Sequence, residues 1–146
     1  MAQQIQTYAN HRRYVPLYHY VLTLLLLAAL GGSIWLLTRA LGQGEGRLAA
    51  GLILLLVLIS LLNGAFVRIW ALKAQDRAIR AEESLRHYLL TGQPLDPRLT
   101  IRQIIGLRFA SDGELAALAR RAAEEGLSEE QIKREVTQWR ADDYRV

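Results

Sequence analysis

The sequence predicts an all-α membrane protein. The expected architecture is a transmembrane helical hairpin with both termini in the cytoplasm, a second helix extended into the cytoplasm, and a small bundle of about three short helices. Three observations carry this expectation. Two apolar runs, Tyr14–Thr38 and Leu48–Val67, hold no Asp, Glu, Lys or Arg, and each meets the roughly 20 residues that a helix needs to cross a hydrocarbon core about 30 Å thick. The connector at 39–47 (Arg-Ala-Leu-Gly-Gln-Gly-Glu-Gly-Arg) is too short to hold a domain. Beyond the second run, three capping-box signatures follow one another, each with an apolar face behind it.

Composition alone conceals this organisation. A mean hydropathy of +0.09 and 22% charged residues match an ordinary soluble domain. The charges, however, are segregated: residues 14–67 carry only Arg39, Glu45 and Arg47, whereas residues 68–146 carry 14 basic and 13 acidic side chains. So balanced a tail lacks the concentrated basic face of a nucleic-acid binder, and no nucleic acid is expected as a partner despite a pI of about 9.8. The absence of cysteine removes any disulfide framework and any thiolate metal site.

The elements follow in order. Segment 1–13 is a cytoplasmic lead-in that ends on Arg12 and Arg13. The first span, about 16–38, opens on Pro16, where a helix tolerates a missing N–H. Its apolar run is too long for the core of a secretory signal, so a retained span is expected. The second span occupies about 48–67. Lys and Arg near the span ends set the orientation. Arg12 and Arg13 before the first span, with Arg68, Lys73, Arg77, Arg80 and Arg86 after the second, outnumber Arg39 and Arg47 between them. Those five residues beyond the second span are candidate contacts for anionic lipid headgroups or a partner protein, at roughly 1 kcal/mol each near such a surface.

Tyr8, Tyr14, Tyr18, Tyr20 and Trp70 form an interfacial belt on the cytoplasmic side, with Trp35 near the outer edge. Small residues four apart, Ala28 with Gly32, Ala29 with Ser33 and Ser60 with Gly64, together with Gly51, mark where backbones can approach closely in lipid, within the hairpin or between two copies. Two polar residues, His19 and Asn63, fall at similar depth, where they could hydrogen-bond each other. A polar group in a span is also a functional candidate, and His19 could serve as axial ligand to a haem or chlorin.

From Phe66 to Thr91 there is neither Pro nor Gly, so a charged juxtamembrane helix over 68–92 should continue the second span. Asp76 with Arg80, Glu82 with Arg86 and Glu83 with His87 stand at ion-pair spacing. A coiled-coil seam through Leu72 and Ile79 fails, because Gln75 and Glu82 fall where it requires apolar residues. Gly92 supplies the C-terminal cap and Pro94 prevents continuation.

The segment 93–146 reads as a helical subdomain. Asp96-Pro97 has the form of a cap followed by proline at a first helical position. Thr100-x-x-Gln103, Ser111-x-x-Glu114 and Ser128-x-x-Gln131 fit the capping box. Behind them lie Ile101, Ile104 and Ile105; then Leu115, Leu118, Ala119 and Ala122; then Ile132, Val136 and Trp139, each set at helical spacing. Gly126 closes the middle helix. So short a stretch is small for a core of its own and should lean on the long helix or the membrane surface.

Several stretches carry a resemblance that together covers nearly the whole chain. They are Tyr8-x-Asn10-His11-x-Arg13-x-x-Pro16-Leu17-Tyr18-His19, then Ala71-Leu72-Lys73-Ala74-Gln75-Asp76-Arg77-Ala78-Ile79-Arg80-Ala81-Glu82-Glu83, then Asp96-Pro97-Arg98-Leu99-Thr100, Leu107-Arg108-Phe109-Ala110-Ser111-Asp112 and Trp139-Arg140-Ala141-Asp142. By these the chain resembles an uncharacterised bacterial family of small two-span integral membrane proteins. The resemblance implies the two-span architecture and a bacterial cytoplasmic (inner) membrane, and it brings no activity, cofactor or catalytic residue.

The search for chemistry returns little. Gly42-x-Gly44-x-Gly46 follows no strand and precedes no Lys-Ser/Thr, so it is a turn and not a phosphate cradle. Nucleophilic catalysis wants a Ser or Cys with a His base in reach, and His11, His19 and His87 lie in no such setting. Glu83 and His87 share a helix face but make half a metal site. Neither span has a midplane charge of the kind carriers use. The expected role is therefore non-enzymatic and needs no cofactor: an inner-membrane interaction protein, an accessory or structural subunit of a larger assembly or a homo-oligomer. The alternative is a cofactor-binding subunit that uses His19.

Overall fold

The computed structural model describes residues 6–10 and 15–142, and among these every regular element is helical. The expected lead-in residues Arg12 and Arg13, with Tyr14 of the aromatic belt, lie outside the described residues. The chain divides into two compact units, one over Tyr14–Trp70 and one that joins the N-terminal segment to the chain from Ala71 onward.

The first unit is the hairpin. Pro16 holds φ −56° and ψ −41°, helical values its ring favours, and the chain winds straight into a π-helical turn over Leu17–Leu22. Helix α1 follows over Thr23–Gln43 and helix α2 starts at Arg47. The helices thus run several residues into the expected connector and leave only Gly44, Glu45 and Gly46 to reverse the chain. Gly44 (φ 82°) and Gly46 (φ 69°) take the left-handed backbone that a side chain resists, and the Gly44 N–H donates to the Ala40 carbonyl at 3.0 Å. That is why the connector is glycine-rich. On α1 the covered positions include Leu30, Ser33, Leu37 and Ala40; on the hairpin part of α2 they include Ala50, Leu54, Val57 and Leu61. Both sets alternate steps of three and four, the spacing of a two-helix seam. Ser33, only 3% exposed, satisfies its hydroxyl on the Leu30 carbonyl of its own helix at 2.9 Å.

Helix α2 is continuous over Arg47–Thr91, 45 residues, or roughly 67 Å at 1.5 Å per residue. It ends as expected at Gly92 (φ 70°), whose N–H donates to the Tyr88 carbonyl at 2.8 Å.

The second unit packs α3 (Ile101–Leu107), α4 (Asp112–Glu125) and α5 (Glu129–Glu135) around the last turns of α2. All three capping residues are where the spacing predicts. The Gln103 N–H donates to Thr100 Oγ1 at 3.3 Å while Gln103 Oε1 accepts from the Thr100 N–H at 2.8 Å, and Ser128 with Gln131 repeats the pattern at 3.3 and 2.8 Å. Gln103 does more than cap α3: its Nε2 donates to the Ala122 and Leu127 carbonyls at 2.9 and 3.0 Å, which ties down the end of α4. The core joins Ile79 of α2 to Leu99, Ile104, Leu107, Leu115 and Ile132, so the short helices do lean on the long one.

Three expectations need correction. Asp96-Pro97 starts no helix: Asp96 Oδ1 accepts from the Arg98 N–H at 2.9 Å and the Asp96 carbonyl from the Leu99 N–H at 3.1 Å, a turn that delivers the chain to Thr100. The last helix stops at Glu135 and does not reach Trp139, because Val136 is extended and the Thr137 and Gln138 N–H groups donate to Glu114 at 3.2 Å each. Trp139 instead pairs with Ala110 across a short antiparallel bridge. Finally, Arg86 pairs not with Glu82 but with Glu83 at 2.9 Å and Asp112 at 2.6 Å.

Candidate functional site

The sequence singled out residues in three places. Of the five basic residues beyond the second span, Arg68 is half-buried and Lys73, Arg77 and Arg80 are exposed on α2. Arg86 is different. Its side chain is 12% exposed, its Nη2 donates to the Ala110 carbonyl at 2.7 Å, and its remaining donors meet Glu83 and Asp112. A guanidinium so engaged cross-links the helical unit from within.

The small residues divide by helical phase. Gly51 and Gly64 are half-buried on the seam side of α2, whereas Ala28, Gly32 and Ser60 are exposed. The seam of α1 passes instead through Ser33, one position and about 100° further round. A Cβ added at Gly32, Gly51 or Gly64 would meet nothing within 4 Å, so the hairpin itself does not demand glycine there. Ser60 donates to the Leu56 carbonyl of its own helix at 2.8 Å. Gly64 has one interhelical role: its carbonyl accepts from the Tyr18 hydroxyl at 3.4 Å.

His19 sits within the π-helical turn. Its Nδ1 lies 3.0 Å from the Val15 carbonyl oxygen and 3.1 Å from the Val15 nitrogen, and Tyr18 meets its ring edge-on at 5.3 Å. The expected bond to Asn63 is not formed. Asn63 is exposed on α2, and no hydrogen bond of its side chain is seen among the described residues.

The densest polar cluster lies in the second unit, where the sequence gave little warning. Glu83, 5% exposed, accepts from Arg86 at 2.9 Å and Arg140 at 3.2 Å. Arg108, 8% exposed, pairs with Asp142 at 3.0 Å and lays its guanidinium over the Phe109 ring at 4.5 Å. Phe109 is fully buried and stacks on Trp139 with centroids 4.4 Å apart. A shallow cleft of about 130 Å³ opens among these groups, lined by Gln75, Glu82, Glu83, Arg108, Arg140 and Asp142. Glu83, Arg108, Arg140 and Asp142 are engaged in ion pairs there while Glu82 stands exposed at the rim, which favours a clamp on the segment 139–142 over a binding site for a charged ligand.

The N-terminal segment closes the same corner. Gln6 Oε1 accepts from the Trp139 Nε1–H at 3.3 Å and the Asp142 N–H at 2.8 Å, and Gln6 Nε2 donates to the Asp142 carbonyl at 3.3 Å. Nearby, the Tyr8 hydroxyl bonds Glu130 and accepts from Arg134 Nε. Glu129 lies 2.5 Å from Lys133 within α5. The links from Gln6 and Tyr8 join residues more than 100 positions apart with no periodic spacing. Phe109 stood outside the expected helical faces, and Trp139 was expected at the end of the third one.

Glu83 and His87, the half metal site, part company: Glu83 is held by the two arginines, and His87 Nδ1 lies 3.0 Å from the Gln93 carbonyl oxygen. Among the described residues, no group of three or more His, Cys, Asp and Glu stands together as a metal site.

Two helices, then, are long and apolar enough to cross a membrane, and a capped helical unit follows them. No curated protein and no solved structure matches the chain. A family of unknown function (DUF6526) matches it over residues 1–146, and the chain belongs to that family.

Proposed function

We propose that this protein is a membrane-anchored interaction protein, without catalytic activity of its own, in which the hairpin is the anchor and the helical unit meets a protein partner or a second copy. The observation that carries the reading is the exposure of the hairpin. Only 6% of the apolar stretch of each long helix is buried, and Leu24, Leu25, Leu56 and Leu62 are 60–69% exposed. The core helix of a soluble protein would hide such side chains. Uncovered, they are costly in water at roughly 25 cal/mol per Å², and lipid is the cover their uninterrupted length fits.

The bonds from Gln6 to Trp139 and Asp142 support termini on one side of the bilayer, as two spans require. The excess of Lys and Arg outside the connector favours the cytoplasm as that side and the inner membrane of a bacterium as the site. Exposed Lys73, Arg77 and Arg80 suit anionic headgroups or an acidic partner surface. The ion pairs that engage Glu83, Arg108, Arg140 and Asp142 at the cleft favour a scaffold over an enzyme. A role as accessory or structural subunit follows from an anchor that carries a well-capped adaptor unit.

Topology reporters test the reading directly. Fluorescent-protein fusions after Val146 should glow and alkaline-phosphatase fusions there should be silent, while a phosphatase inserted at Glu45 should be active. The chain should also stay in the membrane through alkaline carbonate. Release by carbonate, or the reverse reporter pattern, would remove the anchor reading.

A further inference from the structure

We propose that the outward face of α2 beyond the hairpin docks a second copy of this chain, α2 against α2 in parallel. The proposal rests on the membrane reading, because two copies inserted the same way in one bilayer present parallel α2 helices.

Within the second unit α2 has two faces of opposite use. Ile79, Glu83 and Arg86 turn inward and hold α3, α4 and the chain terminus. Ala74, Ala78, Ala81, Leu85 and Tyr88 form a second stripe, separated by alternating steps of four and three, whose edges touch the unit: Ala78 lines the cleft beside Glu83, and Tyr88 lines a groove with Leu95 and Leu99. All five are exposed, Leu85 by 59% and Tyr88 by 55%. Alternating steps of this kind place side chains in one straight seam against a partner helix. The sequence had tested the seam through Leu72 and Ile79 and found it broken, whereas the structure shows Ile79 spent in the core and this other seam exposed. Three alanines admit a close backbone approach, and the Leu85 and Tyr88 side chains supply apolar area at the far end.

Charge on the flanks identifies the occupant. Arg77 precedes Ala78 on one flank and Glu82 follows Ala81 on the other. Both are exposed, and no ion pair of either is seen among the described residues. In a parallel pair of helices a residue on the first flank meets the residue five positions on along the second flank of its neighbour. Arg77 of each copy then meets Glu82 of the other. An antiparallel pair would set like flanks together, Arg77 on Arg77 and Glu82 on Glu82, and would be repelled. The face is therefore self-complementary in the one orientation that a shared bilayer imposes.

The chain has no cysteine, so single-cysteine variants read the seam without background. The full chain is reconstituted in vesicles of phosphatidylethanolamine and phosphatidylglycerol and mildly oxidised. Ala74→Cys and Ala81→Cys should form disulfide-linked dimers severalfold faster than Lys73→Cys and Arg80→Cys, which lie off the seam. Arg77→Glu should lower the dimer fraction about tenfold, since two exposed pairs become repulsive, and Arg77→Glu with Glu82→Arg should restore it. Equal cross-linking at all four positions, or none in a chain that withstands carbonate, would overturn the second-copy proposal and leave the anchor standing. Capture of a different protein, and never of a second copy, by a photo-cross-linker at Ala81 would overturn it likewise. Loss of the chain to carbonate would fell the anchor reading itself.

Discussion

Glu114 shows how one side chain can hold two places at once. It completes the cap of α4 by accepting from the Ser111 N–H at 3.1 Å, and it takes the Thr137 hydroxyl at 2.7 Å with the Thr137 and Gln138 N–H groups at 3.2 Å each. Partial burial alone would raise its pKa, but the bonds from Thr137 and the backbone outweigh that and hold it below the ordinary carboxylate value. A group with a lowered folded pKa stabilises the fold above its unfolded pKa, and that contribution fades as pH falls through the folded value. Glu114→Gln should therefore cost about 1–2 kcal/mol near neutral pH, and the deficit should shrink on acidification. Urea midpoints of both proteins at neutral pH and near pH 3 check this; a deficit that grows in acid would refute it. Asp96, held down to about 2 by the Arg98 side chain and N–H, is half-buried and serves the turn. The sequence revealed the cap of Glu114 and missed its second grip, because Thr137 and Gln138 stand at no regular spacing from it.

Among elements, the short helices were the most legible. Their caps are local chemistry, written within four residues, and the apolar faces behind them have one period. What local chemistry could not say is where a helix yields to a distant competitor. Helix α5 stops because its next N–H groups go to Glu114, and the turn at Asp96 wins over a helix because Asp96 bonds two residues ahead. Close approach of elements was equally hidden. A Cβ on Gly106 would sit 3.1 Å from the Glu129 carbonyl and 3.2 Å from Ile132 Cγ2, where α3 crosses α5. Ile132 is fully buried and the carbonyl belongs to the first turn of α5, so neither can give way. Gly106→Ala gains helix propensity but overpacks this crossing, and the loss should prevail by about 1–2 kcal/mol. Thermal denaturation of the purified variant decides it; a raised Tm would show that the crossing yields.

The whole molecule was legible in outline because hydrophobic length and charge segregation are global properties of a chain. The two long apolar helices and the charged second unit beyond them follow from these properties. The cluster of Glu83, Arg86, Arg108, Arg140 and Asp142 was not, since ion pairs across 57 positions leave no trace in spacing. That cluster belongs wholly to one of the two units. Glu83→Gln leaves two arginines without their buried anion and should cost that unit about 2–3 kcal/mol, while the hairpin keeps its helicity. Circular dichroism of the chain in lipid should show an earlier partial transition with the remaining helix unchanged. Simultaneous loss of all helix at the lower temperature would contradict the division into two units.

The bonds from Gln6 to Asp142 also set a clock. The two residues are 136 positions apart, and a ribosome that adds about 5–20 residues per second needs roughly 7–30 s to pass from one to the other. For all that time Gln6 waits with its partners unmade. The hairpin has long since been synthesised when the stretch about Asp142 emerges to seal the unit. A chain cut short before Asp142 would lose the step that closes it.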